Sequence, residues 1–235
     1  MLHDIGSTRR RMLGATLAAL GAALAPGALP AWAAQLLKTP RQTRGPFYPL
    51  ELPLDRDNDL VTVAGGSGLA KGEVAHVAGR VLDESGRPLP RARVEIWQCD
   101  ANGRYRHPRD RRDVPLDPNF QGYGQFVTGA DGGYRFRTIK PVSYPGRAPH
   151  IHVAVSGPGF EPLVTQLYVA GAAENAADGV LNGIADPQAR QRLVVPFEPA
   201  TGTAAAELLA RFDIVLAADG RLGKPGAEYG RLLRG

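Results

Sequence analysis

The sequence predicts an all-β protein, a β-sandwich with long loops and an extended N-terminal arm. Three observations lead there. Short segments alternate apolar and polar residues with a period of two. Turn signals rich in glycine and aspartate separate those segments at short intervals. Glycine and proline are abundant, 29 and 20 of 235 residues, where ordinary usage is about 12% for the two together. The glycines follow no Gly-X-Y repeat, which excludes a collagen-like chain.

In chain order, residues 76–81 (HVAGRV) alternate and run into the turn Asp83-Glu84-Ser85-Gly86. Residues 92–98 alternate again, with Val94, Ile96 and Gln98 on one face and Arg93, Glu95 and Trp97 on the other. Residues 124–128 lead into Asp131-Gly132 and residues 134–139 leave it, the spacing of a hairpin. Residues 150–156, 163–169, 192–197 and 211–217 read as further strands, and 202–210 (GTAAAELLA) as helix-prone. Segment 34–75 is rich in proline and glycine, weakly patterned, and reads as an arm rather than a domain. The sandwich domain is then expected over 76–235.

Residues 1–33 read as an address. Arg9-Arg10-Arg11 precede an uncharged Ala/Leu/Gly stretch from Leu13 to Leu29, and Ala31-Trp32-Ala33 gives a small-x-small cleavage pattern. Together these describe a signal peptide of the twin-arginine type, with a periplasmic or secreted destination. Pro26 and the many glycines and alanines make the stretch a poor permanent span. Cleavage removes three arginines and Asp4, so the net charge of +5 falls by two. The mixed-sign cluster Arg109-Asp110-Arg111-Arg112-Asp113 reads as a solvated loop, and no basic stripe carries interleaved aromatics. Nucleic acid is therefore not an expected partner. With 22% charged and 43% hydrophobic residues, the chain is neither disordered nor a multi-span membrane protein. The single cysteine, Cys99, excludes an intrachain disulfide and any multi-cysteine metal site. It reads as a small buried hydrophobe.

Chemistry concentrates around two histidines. Of the five, His3 leaves with the signal, and His76 and His107 stand alone. His150 and His152 lie at i and i+2 of an expected strand, so both imidazoles point to one face and can reach one metal ion. The plainer reading is a polar strand face. Just upstream, Tyr144-Pro145-Gly146-Arg147-Ala148-Pro149 fixes a loop that brings Tyr144 and Arg147 towards the pair. Tyr105 follows the turn Asn102-Gly103-Arg104. A phenol has a pKa near 10, so ligation as tyrosinate demands a hard, strongly charged cation. Ferric iron meets that demand, while a copper or zinc His-x-His site stays open from the residues alone.

The runs WQCDANGRYRH (97–107), the segment from Pro115 to Gly159, TQLY (165–168), and Thr43-Arg44-Gly45-Pro46-Phe47-Tyr48 in the arm resemble the intradiol ring-cleavage dioxygenases. Within that family the likeness is to the β subunits of the protocatechuate-cleaving branch, and it covers roughly residues 41–170. The resemblance implies a non-haem Fe(III) held by Tyr105, Tyr144, His150 and His152, with hydroxide in the fifth position and Tyr144 as the displaceable ligand. It implies catalytic roles for Tyr144, for Arg147 as the group that stabilises charge on the ring, and for Gln166 as an orienting or supporting residue. The implied reaction cleaves a catechol-type diol with O2 to a cis,cis-muconate-type diacid. The implied assembly is a homo-oligomer or a pair with an α-type subunit. The stretch between Tyr144 and His150 is shorter than the family pattern and lacks its tryptophan. A non-enzymatic alternative rests on GRVLDESGRPLPRARVEIW and GADGGYRFRTI, which also resemble exported transthyretin-like and carboxypeptidase-regulatory-like sandwich modules. Such a module has no reason to carry the two tyrosines and two histidines together.

Overall fold

The computed structural model describes residues 35–53, 55–202 and 206–217, so the expected signal and the C-terminal residues from 218 lie outside it. Ten strands are described: β1 (Val74–Asp83), β2 (Arg93–Trp97), β3 (Tyr123–Val127), β4 (Gly133–Ile139), β5 (His150–Ser156), β6 (Leu163–Val169), β7 (Val194–Val195), β8 (Glu198–Pro199), β9 (Leu208–Arg211) and β10 (Ile214–Leu216). They form two five-stranded sheets. In one, β1 pairs antiparallel with β4 and parallel with β9 and β10, and β8 flanks β9. In the other the order is β3-β2-β5-β6-β7. Val77, Val81, Phe136, Val94, Ile96, Ile151, Val153, Val155 and Leu167 form the main core. The expected all-β sandwich is what these residues build.

The two-residue period accounts for the strands but not for their partners. The Asp131-Gly132 turn does not close a hairpin: β3 pairs with β2 and β4 with β1, so the chain changes sheets there. A turn signal fixes where the chain reverses, not which edge it joins. The expected strand 192–197 shrinks to Val194–Val195, because Arg192 ends a helix and Pro196 has no N–H for a ladder. The expected strand 211–217 is interrupted at Phe212–Asp213, where Asp213 Oδ1 accepts the Arg80 amide at 2.8 Å. The helix-prone stretch 202–210 is corrected in its second half: Leu208–Arg211 is β9, paired in register with Ala75–Ala78. Its residues 203–205 lie outside the described set. Ladder bonds and burial of Ala210 override a weak helical propensity. The structure instead holds short helices elsewhere, a 3₁₀ turn at Ala173–Ala176, α1 (Gly179–Asn182) and α2 (Pro187–Gln191).

The arm lies on its own sandwich. The Thr39 amide donates to Val215 O, the Gln42 amide to Val164 O, and the Thr165 hydroxyl to Pro40 O. It covers the outer face of the β2-β5-β6 sheet. That face carries a second apolar cluster of Tyr48, Trp97, Cys99, Tyr105, Tyr123, Ala154 and Val164. β2, β5 and β6 are therefore buried on both faces, although their sequences alternate. Glu95, on the outer face as expected, is buried and accepts hydrogen bonds from the hydroxyls of Tyr48 (3.0 Å) and Tyr123 (2.5 Å).

On the opposite sheet, the buried Tyr134 hydroxyl donates to Phe212 O at 2.5 Å and ties β4 to the break between β9 and β10. Tyr134→Phe removes that donor and is expected to cost about 1–2 kcal/mol of stability with the fold retained. Urea denaturation with an unshifted midpoint would show that this bond contributes nothing.

Candidate active site

The site stands on the outer face of β5. Register places Trp97, His152 and Gln166 in one cross-strand row and His150 opposite Tyr168 in the next. Both histidines are 1% exposed. His150 Nδ1 lies 2.6 Å from Ala148 O, so Nδ1–H donates to that carbonyl and Nε2 keeps its lone pair. That lone pair faces His152 Nε2 at 3.2 Å and the Tyr105 hydroxyl at 3.4 Å. The His152 ring lies flat on Trp97, with centroids 4.8 Å apart and planes 5° apart. Its Nδ1 makes no hydrogen bond among the described residues, so stacking sets its plane.

Two tight turns deliver the tyrosines. In the first, the Gly103 amide donates to Asp100 O, and Asp100 Oδ1 accepts the amides of Asn102 and Arg104. Tyr105 follows at once, its amide donating to Asp110 Oδ2 at 2.7 Å. In the second, the Arg147 amide donates to Tyr144 O at 2.9 Å, with Pro145 and then Gly146 between them. Gly146 has φ +81°, the left-handed conformation that a type II turn demands at its third position. Tyr144 and Arg147 thus flank one turn. The rings of Tyr105 and Tyr144 meet edge-on at 5.8 Å, and Tyr144 lies 5.5 Å from His150.

Arg147 and Gln166 complete the group. Arg147 Nη2 donates to Gln166 Oε1 at 2.5 Å, and Nε to Asp178 Oδ2 at 2.9 Å. Gln166 Nε2 donates to Thr43 O at 3.1 Å, which anchors the arm at the site. All six residues singled out in the sequence, Tyr105, Tyr144, Arg147, His150, His152 and Gln166, are brought together.

Other neighbours were not legible. The Arg109–Asp113 segment is not simply solvated: Asp110 is buried and paired with Arg112, whose guanidinium lies 4.5 Å above the Tyr144 ring. Burial alone would raise the Asp110 carboxyl, but hydrogen bonds from Arg112 and the Tyr105 amide hold it at about 2. Phe47 stacks on Tyr105 at 4.6 Å. A Cβ on Gly45 would stand 3.1 Å from His152 Cε1, so a side chain there would press on the imidazole. Asp178, thirty-one residues beyond Arg147, had no local signal at all. A surface cavity of about 820 Å³ lies among Arg80, Tyr134, Arg192 and Arg211, and none of the six site residues lines it.

Burial governs the protonation states. It pushes His150 down to about 4, helped by the Arg147 charge, and His152 well below its ordinary value. Both imidazoles are therefore neutral near pH 7 and available as donors. Burial also raises Tyr144, and raises Tyr105 well above the usual phenol range. Two neutral imidazoles and two phenols converge, and no group of three His, Cys, Asp or Glu suited to a metal occurs among the described residues. This donor set fits a hard trivalent cation, whose charge favours tyrosinate where burial opposes it.

A family model described as Dioxygenase matches residues 43–218. The protocatechuate 3,4-dioxygenase beta chain of Burkholderia cepacia is 43% identical over 184 residues, covering 75% of this chain and 78% of that one. The chain belongs to the intradiol ring-cleavage dioxygenase family. Hydroxyquinol 1,2-dioxygenase of Corynebacterium glutamicum is 33% identical over 203 residues, covering 74% of this chain and 62% of that one. Among solved structures, the dioxygenase domain of a dioxygenase–carbohydrate-binding fusion from Streptomyces sp. SirexAA-E superposes with a TM-score of 0.58 at 31% identity, covering 77% and 99% of the two chains. These relatives favour the enzymatic reading over the non-catalytic sandwich module.

The dioxygenase carries a built-in acid sensitivity. His150 has a folded pKa of about 4 and an ordinary value near 6.5, so between the two the unfolded chain takes up the proton first. The metal-free protein is expected to lose stability as the pH falls from about 6.5 to 4. His152, lowered by burial as well, contributes in the same direction, so His150→Gln should reduce the slope of that stretch of a melting-temperature profile without abolishing it. An equal slope in both proteins would remove His150 as the cause.

Proposed function

We propose that Tyr105, Tyr144, His150 and His152 hold a non-haem Fe(III) ion. The enzyme then uses O2 to cleave a catechol-type, protocatechuate-like diol to a cis,cis-muconate-type diacid. The observation that carries this reading is the convergence of two phenol and two imidazole groups on the outer face of β5, His150 Nε2 being within 3.4 Å of both Tyr105 and His152. When bound, the ferric ion supplies the charge that draws the diol in as its dianion and makes the ring reactive towards O2.

The chain's own residues divide the remaining work. Tyr105 is 3% exposed, clamped between Phe47 and the Asp110 anchor, and serves as the fixed donor. Tyr144 is only partly buried and sits on a turn at the rim. Held as tyrosinate by the ion, it would be the side chain that swings aside and takes up a diol proton at its phenolate oxygen. Arg147 holds positive charge beside the site, where negative charge on the ring is stabilised in a dry environment. Gln166 has its oxygen on Arg147 and Tyr168 and its nitrogen on Thr43 O. Its role is to support Arg147 and the arm. Trp97, against His152, and the arm over the outer face exclude water from the ligands.

Export by the twin-arginine type of signal, with cleavage after Ala33, completes the proposal and puts the enzyme in the periplasm or outside the cell. Its support is the order of basic, apolar and small-x-small segments. Among the described residues no helix is long and apolar enough to cross a membrane. Association with a second copy or an α-type subunit is supported by the 43% identity to a beta chain. Light scattering of the purified chain tests it.

Iron-loaded protein should show a visible charge-transfer band that moves to longer wavelength when catechol or protocatechuate is added without oxygen. Tyr105→Phe should abolish or strongly shift the band, and His150→Ala should abolish iron binding in a folded chain. Arg147→Ala should keep iron and lose about 10²–10³ in kcat. A chain that stays colourless after iron reconstitution would overturn the ferric site. Unchanged turnover in the Arg147 variant would overturn its role.

A further inference from the structure

Arg147 reaches the site from a turn, so the sheet does not aim its guanidinium. Three acceptors do. Asp178 Oδ2 takes Nε at 2.9 Å, Gln166 Oε1 takes Nη2 at 2.5 Å, and the Tyr168 hydroxyl oxygen stands 3.3 Å from the same Nη2. Nε and Nη2 are thus both engaged by protein acceptors.

Of the three acceptors only Asp178 is a carboxylate, and it is 1% exposed. Its oxygens divide their work. Oδ1 accepts the amides of Val180 and Leu181, both at 2.9 Å, which caps α1. Oδ2 accepts Arg147 Nε and the Ala148 amide, both at 2.9 Å. Burial alone would favour the protonated acid, but these bonds and the Arg147 charge keep the carboxyl below its ordinary value. Ala148 in turn presents its carbonyl to His150 Nδ1. A role as helix cap explains Oδ1 but leaves the two bonds to Oδ2 unexplained. An exposed ion pair is worth little. This one is enclosed and tied to backbone on both sides.

We infer that Asp178 is the positioning residue for Arg147: by gripping Nε and the adjoining Ala148 amide with one buried oxygen, it fixes the plane of the guanidinium against the ring-cleavage site. The inference rests on the reading of Arg147 as the charge-stabilising group. It makes α1, a four-residue helix outside both sheets, part of the catalytic scaffold.

Asp178→Asn separates cap from clamp. Asparagine caps a helix as well as aspartate does. Its oxygen can stay on α1 while its NH2 group faces two donors it cannot accept from. In the iron-loaded enzyme, kcat should fall about tenfold to a hundredfold, the cost of a misplaced catalytic group. Iron content and KM should stay within about twofold, as expected for an interaction used only in the transition state. In an Arg147→Ala background the same substitution should change kcat by less than about twofold, because the group it positions is gone. Apart from activity, the melting-temperature losses of the two substitutions should be non-additive in the metal-free chain. Asp178→Ser, which also caps but cannot reach Arg147, gives the same comparison if the asparagine chain does not fold. An unchanged kcat, or an equal fall with and without Arg147, overturns the inference and reduces Asp178 to a cap. If Arg147→Ala itself keeps full kcat, the reading of Arg147 fails and the inference falls with it; the silent single variant tells the two failures apart.

Discussion

The structure depends on burying the outer face of one sheet. A strand shows alternate residues to opposite sides, so the β5 run Ile151, Val153 and Val155 that fills the core leaves His150, His152 and Ala154 facing outwards. In an ordinary sandwich that face meets water. Here the arm lies across it through backbone bonds to β6 and packs Tyr48 and Phe47 on Trp97 and Tyr105. Polar groups become buried as a result, and their altered protonation behaviour follows.

Burial also sets the energetic problem that the surrounding residues solve. A buried polar group costs stability unless it is hydrogen-bonded. The site therefore carries a dense set of satisfied partners: Ala148 O for His150, Asp110 for the Tyr105 amide, Thr43 O for Gln166, and Asp178 for Arg147. Each partner comes from a different segment, so arm, turns, strands and α1 are locked to one another. The same bonds that stabilise these segments hold His150 and Tyr105 in place. Rigidity is concentrated at Tyr105 and the histidines. Tyr144, on a rim turn, is only partly buried and packs under Arg112.

Two charged pairs flank the site with different consequences. Arg112 is neutralised by Asp110 and lies on the Tyr144 ring, so it acts mainly through contact with the face of the phenol. Arg147 shares Asp178, but that carboxylate is also engaged by three backbone amides. The Asp178 charge still acts on His150, opposing that of Arg147. After burial, the Arg147 charge contributes to lowering both imidazoles.

The sequence by itself determined the strands and the shared face of His150 and His152, because both are local. Period-two alternation gave six of the strands close to their bounds, the i, i+2 spacing put two imidazoles on one face, and Tyr-Pro-Gly-Arg encoded its own turn. Tertiary structure decided what depends on distant partners. It assigned β3 and β4 to different sheets, took residues 208–211 from helix to strand through pairing with β1, and turned Asp110 and Arg112 from an apparent surface cluster into part of the site. It also brought Asp178 to Arg147 and laid the arm on its own sheet rather than elsewhere. None of these can be read locally, since a hydrogen bond between residues far apart in the chain leaves no periodicity in either segment. A four-residue helix such as α1 is likewise too short to show one.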